Sequence, residues 1–180
     1  MTVPDGWQGI LDEGERILWQ GRPDGRVVWK PRHFGLLLFG GFFAGFALFW
    51  MIMASQAGGL FWMFGLLHFS VGIALMLGGP YGGAYIRRHS WYTLTDRRAF
   101  IATDMPMVGR RLNSYPIDRD SVLQFAEGDP SSVYFATILK RTKNGSRRVP
   151  VGFENIEDAR EVYGLLRDVQ RGEASAEDAG

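Results

Sequence analysis

Hydrophobic and polar residues fall into blocks along this chain. No Asp, Glu, Lys or Arg occurs from His33 to Ile86, whereas the segments on either side are densely charged. The mean hydropathy of −0.07 therefore averages two unlike populations. Crossing the hydrocarbon core of a bilayer takes about 20 apolar helical residues. Residues 34–55 supply one such stretch and residues 60–80 a second, extending towards Ile86. The link Gln56-Ala57-Gly58-Gly59 is so short that the two helices must be antiparallel neighbours. A pair of buried helices in a soluble core is the competing reading. A fold this small, however, has too little else to cover two helices apolar on every face. Residues 34–86 are therefore expected to form a transmembrane helical hairpin. Gly78, Gly79, Pro80, Gly82 and Gly83 disfavour helix at the end of the second stretch, so a kink or unwinding is expected there.

The flanks orient the hairpin. Arg26, Lys30 and Arg32 precede it, Arg87, Arg88, Arg97 and Arg98 follow it, and the connecting turn has no basic residue. Basic residues stay cytoplasmic, which predicts an inner-membrane, multi-pass protein with both termini in the cytoplasm. Trp29, Tyr81 and Tyr85 then fall at the inner interface, and Trp50 and Trp62 near the outer one. Within the first stretch, Gly41 and Gly45 form a Gly-x-x-x-Gly, and Gly40 and Ala44 repeat the spacing one residue earlier. Small residues at this spacing serve either dimerisation or packing of the two helices on each other. His68 is the only ionisable group at membrane depth, a position that suggests a proton carrier or a metal or haem ligand. His33 and His89 lie at the cytoplasmic edge and cannot complete a bis-histidine haem site. The alternative is a neutral imidazole bonded to Ser70 or a backbone carbonyl.

Beyond Arg88 the apolar period shortens to two. Strands are predicted at residues 91–95, 98–103, 110–117, 121–127, 132–141 and 147–153. Lys143-Asn144-Gly145-Ser146 joins the last two through Asn-Gly, a strong hairpin signal. A further strand near residues 15–20 lies upstream of the hairpin, in the N-terminal segment 1–33. Asn155 is a candidate helix cap with Asp158 three residues on, and Ile156, Ala159, Val162, Tyr163, Leu166 and Val169 share one face of a helix over 155–171. Gly172 ends it, and residues 172–180 read as a disordered acidic tail.

Leu11-Asp12-Glu13-Gly14-Glu15-Arg16-Ile17-Leu18-Trp19-Gln20-Gly21-Arg22-Pro23 resembles the opening signature of small two-span bacterial membrane proteins that carry a bacterial pleckstrin-homology-like domain. Tyr92-Thr93-Leu94-Thr95-Asp96-Arg97-Arg98 resembles the strand–turn–strand that follows their membrane spans. The resemblance implies a small antiparallel β barrel or sandwich of about seven strands over residues 87–171, closed by the C-terminal helix 155–171, with the first strand before the membrane hairpin. It implies little about activity. The eukaryotic inositol-phosphate motif occupies the loop between the first two strands, which here would be the membrane hairpin, so phosphoinositide binding is not carried over.

The formal charge of +1 argues against a nucleic-acid binder, and the absence of Cys removes disulfides, thiolate catalysis and Cys metal sites. No His-Glu-x-x-His, phosphate-binding glycine loop, nucleophile elbow or dinucleotide fingerprint is present. Asp96, Asp104, Asp118 and Asp120 fall in turns, where aspartate bonds its own backbone. No catalytic residue, metal site or cofactor is expected. Two basic sets are candidate contacts for anionic lipid headgroups: Arg87, Arg88, Arg97 and Arg98 beside the membrane, and Lys140, Arg141, Lys143, Arg147 and Arg148 around the last hairpin. The expected function is a non-enzymatic binding or assembly module at the inner leaflet, with a protein partner or a second copy of the chain. One alternative is a lipid-responsive or transport-assisting component that uses His68 and the glycine-rich helix end; another is a small membrane enzyme, which would need a pocket gathering Asp and His residues distant in sequence.

Overall fold

The structure is a computed structural model that describes residues 6–29, 31–106, 108–142 and 145–174, with Arg32 as backbone only. Its contacts divide the chain into a helical unit, Gly25–Arg87, and a second unit made of Met1–Asp24 and Arg88–Gly180.

In the helical unit, α1 runs Pro31–Gln56 and α2 runs Phe64–Arg88, joined through a 3-10 turn at Phe61–Met63. Proline suits the first position of α1, where its missing N–H has no partner to lose. Gly58 and Gly59 take positive φ (79° and 75°) in the link. Both helices are long and apolar enough to cross a bilayer, with mean hydropathies of 2.2 and 1.8. Gly40, Ala44 and Ala47 are buried along one side of α1, and Gly65 and Gly72 along α2. A Cβ on Gly40 would lie 2.6 Å from the Gly72 carbonyl oxygen, and one on Gly72 would lie 2.7 Å from the Ala44 nitrogen. The backbones meet there because nothing larger fits.

The expected unwinding at Pro80 does not occur: α2 continues through Gly82 and Gly83 to Arg88. A proline inside a membrane helix removes one hydrogen bond and crowds one turn, which neighbouring helices and small residues accommodate. Of the glycines here, Gly79 serves packing, whereas a Cβ on Gly78 or Gly82 would meet nothing within 4 Å. A Cβ on Gly79 would lie 3.1 Å from the His33 ring.

The second unit holds seven strands. β1 (Ile17–Gly21), β2 (Ser90–Thr95), β3 (Arg98–Met105) and β4 (Gly109–Pro116) form one antiparallel sheet in that order; β5 (Gln124–Ala126), β6 (Ser131–Thr142) and β7 (Gly145–Ile156) form another. β1 pairs with β2, Gly21 opposite Tyr92, so the helical hairpin is inserted between two adjacent strands. Among the described residues no strand pairing joins the two sheets, and they do not close into a continuous barrel. Alternation directs Tyr92, Leu94, Ala99, Val133, Phe135 and Phe153 into a shared core. α3 (Ala159–Arg171) covers that core with Ala159, Val162, Leu166 and Val169, spaced three and four apart.

Asn155 does not cap α3. It is buried at the end of β7 with φ 54°, its N–H donating to Ser132 Oγ (2.9 Å) and its carbonyl accepting from Asp24 N–H (2.6 Å). Asparagine tolerates the left-handed region, and that property decides its role here. Asp158 stands at the N-cap without a side-chain capping bond, so the helix begins four residues later than expected, whereas Gly172 does end it at φ 78°. β5 is shorter than expected because Asp118 Oδ1 accepts from Asp120 N–H and Ser121 Oγ, folding that segment into a turn. Lys143 and Asn144 lie outside the described residues, but the strands they link are paired as far as Thr142 opposite Gly145. Of the expected disordered tail, Glu173 pairs with Arg171 and the Ala174 carbonyl accepts from Arg16; the rest lies outside the described residues.

Gly152 sits where β6 and β7 shift register, and a Cβ there would collide with the Val133 carbonyl oxygen and lie 2.5 Å from Tyr134 Cα. Both are backbone atoms that cannot swing aside. Gly152→Ala is expected to cost about 1–3 kcal/mol, read as a lowered midpoint of thermal unfolding by near-UV dichroism of the full chain in detergent.

Candidate binding surfaces

The N-terminal segment before β1 is tied to the turn between β2 and β3. Arg98 Nη2 lies 2.6 Å from Glu15 Oε2 and 2.9 Å from Asp12 Oδ1, and its Nε donates to both Glu15 oxygens. Thr95 Oγ1 donates to Glu15 Oε1 (2.6 Å), and the Asp12 N–H donates to Oε2 (2.8 Å). The Arg16 N–H donates to Asp96 Oδ1 (3.1 Å). Glu15 is 5 % exposed, a position that costs an unpaired carboxylate several kcal/mol. Burial alone pushes the Glu15 carboxyl up, but the bonds from Arg98, Thr95 and Asp12 together outweigh it and hold the group at about 2. Arg98 is raised above its ordinary value, chiefly by its bond to Glu15.

This clamp holds residues 6–10 over the outward face of the first sheet. Because Tyr92 and Leu94 point into the core, Trp91 and Thr93 point out; because Ala99 does, Phe100 and Ala102 point out. Trp7 packs edge-on against Phe100 at 5.1 Å, and Arg98 covers the same ring at 5.2 Å, so Phe100 is buried although it faces away from the core. Beside this lid runs a groove of about 730 Å³ that crosses all four strands. Trp7, Trp91, Phe100 and Leu112 give it apolar surface, and Gln20 Nε2 donates to Thr93 Oγ1 within it (3.2 Å). Three arginines border it. Arg22 lies over the Trp91 ring at 4.5 Å, Arg110 bonds Asp104 at 3.0 Å, and Arg111 is exposed. Among the described residues neither Arg22 nor Arg111 has an acidic partner.

Compared with family models, curated proteins and solved structures, the chain has no match.

The residues singled out in the sequence are distributed as follows. Gly40 and Ala44 lie between α1 and α2, whereas a Cβ on Gly41 would reach only Met76 Sδ (3.8 Å) and one on Gly45 would meet nothing within 4 Å. The two overlapping spacings thus have different surroundings: one is internal, the other open. His68 lies in the hairpin beside a pocket of about 270 Å³ lined by Phe43, Phe46, Trp50 and Phe64. Its Nδ1 is 3.3 Å from the Phe64 carbonyl oxygen, while Ser70 Oγ donates to the Leu66 carbonyl and not to His68. No group of three His, Asp or Glu able to hold a metal occurs among the described residues. Arg87 Nη2 donates to the Arg26 carbonyl (2.8 Å), Arg88 is exposed, and Arg97 Nη2 reaches the Glu13 carbonyl (3.4 Å). Arg98, grouped in the sequence with the headgroup candidates, is instead held by the carboxylates of Glu15 and Asp12. Lys140, Arg141, Arg147 and Arg148 are exposed along the β6–β7 ribbon, and Lys143 lies outside the described residues. Sequence reasoning missed the groove. Its signal was an aromatic residue on each outward phase, Trp91 and Phe100.

Breaking the clamp from one side leaves a buried carboxylate unpaired. Arg98→Met is expected to cost about 3–5 kcal/mol, with Glu15→Gln in the same chain recovering part of it, measured by thermal unfolding. Because Glu15 titrates lower folded than unfolded, its contribution is present above its ordinary value of 4.5 and is lost as pH falls from there towards about 2. Wild type should lose stability more steeply than Glu15→Gln across that window.

Proposed function

We propose that this chain is a membrane-held, non-enzymatic assembly module. In this reading α1 and α2 cross the cytoplasmic membrane, both termini are cytoplasmic, and a pleckstrin-homology-like domain offers its groove to a protein segment. The observation that carries it is the groove itself: aromatic and apolar surface beside Arg22, which has no acidic partner among the described residues. A segment that places apolar side chains on Trp91 and Leu112 and a carboxylate beside Arg22 would satisfy both. The pleckstrin-homology-like assignment draws support from seven antiparallel strands in sheets of four and three, the C-terminal helix, and the resemblance of residues 11–23 and 92–98. Membrane attachment draws support from two helices that carry no Asp, Glu, Lys or Arg between His33 and Ile86 and have basic residues at the two ends of that stretch. The non-enzymatic reading rests on the groove's chemistry. Among the described residues Asp104 is the sole carboxylate lining it, and it is already bonded to Arg110.

Purification of the full chain in mild detergent, followed by crosslinking and native mass measurement, tests the reading. A partner or a second copy should be retained by wild type and reduced at least tenfold by the Arg22→Glu/Leu112→Glu double variant. A strict monomer with nothing co-purifying would overturn it. His68 takes no part in this reading, so His68→Phe is expected to retain the partner and membrane localisation unchanged, whereas a transport or proton-relay role would be lost.

A further inference from the structure

Beyond Tyr134, the last residue of β6 opposite β5, β6 and β7 continue as a two-stranded ribbon. Every residue from Thr137 to Thr142 and from Gly145 to Arg148 is exposed. Two properties of this ribbon have no explanation within the domain. It leaves large apolar side chains in water, Leu139 at 71 % exposure and Ile138 at 42 %. It also gathers cations with no counter-charge: between Phe135 and Phe153 the sequence has no Asp or Glu, while Lys140 stands directly opposite Arg147, a like-charge pair that weakens a ribbon in water. An anionic, partly apolar surface removes both costs at once.

The strand period sorts these residues. Leu139 lies opposite Arg148, and Arg141, two residues on, shares their side; Ile138, Val149, Lys140 and Arg147 lie on the other side. We infer that the β6–β7 ribbon docks flat on an anionic phospholipid surface through the Leu139 side, with Leu139 entering the headgroup–acyl boundary and Arg141 and Arg148 reaching lipid phosphates. A flat orientation follows from the order of residues. Tip-first entry would drive Lys140 and Arg141 deeper than Leu139, against the usual ranking in which cations stay at headgroup level and apolar groups go below them. Lipid is favoured over an acidic protein because the chain itself carries two helices of membrane-crossing length, and because Leu139 stands 71 % exposed beside cations in a ribbon without acidic residues. The inference builds on membrane attachment in the reading above but not on the groove.

The absence of Cys makes a site-specific probe direct. Leu139→Cys and, separately, Ile138→Cys in the full chain would each carry an environment-sensitive fluorophore and be placed in nanodiscs of phosphatidylcholine alone or with a third phosphatidylglycerol. The label at 139 should shift to the blue and become several-fold less accessible to aqueous iodide only in the anionic discs. The effect should vanish at ~1 M salt, where the screening length falls to ~3 Å. The label at 138 should change little. Arg141→Gln/Arg148→Gln in the Leu139→Cys background should abolish the response, while a labelled Cys replacing the exposed Val122 reports general effects. No shift in either disc, an equal shift at 138 and 139, or protection at 139 by a co-purified protein in lipid-free detergent would each overturn the inference. The outcomes are separable from those above, since a chain that retains a groove partner while the 139 label stays in water loses only the ribbon.

Discussion

The carboxylate of Glu15 is where the two halves of the β domain are fastened together. It is buried, so it persists as an anion only because Arg98, Thr95 and the Asp12 N–H surround it. Those partners stand some eighty residues further along the chain or within one turn of it. With the bond in place, residues 12–16 are fixed beside the β2–β3 turn, β1 is delivered to the edge of β2, and Trp7 is laid over Phe100. Without it, the segment ahead of β1 would lose its strongest tie to a sheet whose other three strands are contiguous in sequence, and the Arg16–Asp96 bond and the β1–β2 ladder would have to hold it alone. The groove, whose lid and one end come from that segment, would then be an open sheet face.

This fastening also gives physical content to the two short stretches that carry the resemblance to bacterial pleckstrin-homology-like proteins. Asp12, Glu15 and Arg16 belong to the first, Thr95, Asp96 and Arg98 to the second, and each of the three in one motif bonds a member of the other. What looked in sequence like a signature before the hairpin and another after it is one polar junction divided by an insertion. The arginines of the second motif were consequently open to a simpler reading, as basic residues following a membrane helix. For Arg98 the competition is decided by distance: its guanidinium has a buried partner at 2.6 Å.

The parts of the fold legible in the sequence are those set by local periodicity. The two apolar helices follow from the absence of charge over 33–86, and β2, β3, β6 and β7 from alternation and turn residues, each correct to within a few residues. The misreadings arose where one residue type serves two purposes. Asparagine favours helix caps and left-handed backbone alike, and Asn155 took the second role. Glycine beside proline marks either an unwound helix or a close helix contact, and Gly79 took the second. The binding surfaces were least legible because they depend on pairings distant in sequence. Alternation showed that Trp91 and Phe100 point away from the core, but not that Trp7 returns to cover one of them. Nor does sequence tell which of two glycine spacings one residue apart faces a neighbour; the approach of Gly40 to Gly72 decides it.

The pairing of β1 with β2 across the inserted helices imposes an order of assembly. β1 is synthesised before either helix, and its hydrogen-bonding partner only after both. In a chain whose helices enter a bilayer as they emerge, β1 must wait on the side where it was made until α2 has returned the chain to that side. A hairpin that inserted halfway would deliver β2 to the opposite face, and the sheet could not form. In such a chain, completion of the β domain would record that both helices had crossed, and a copy inserted halfway would display the unpaired edge of β2 as a mark of its error.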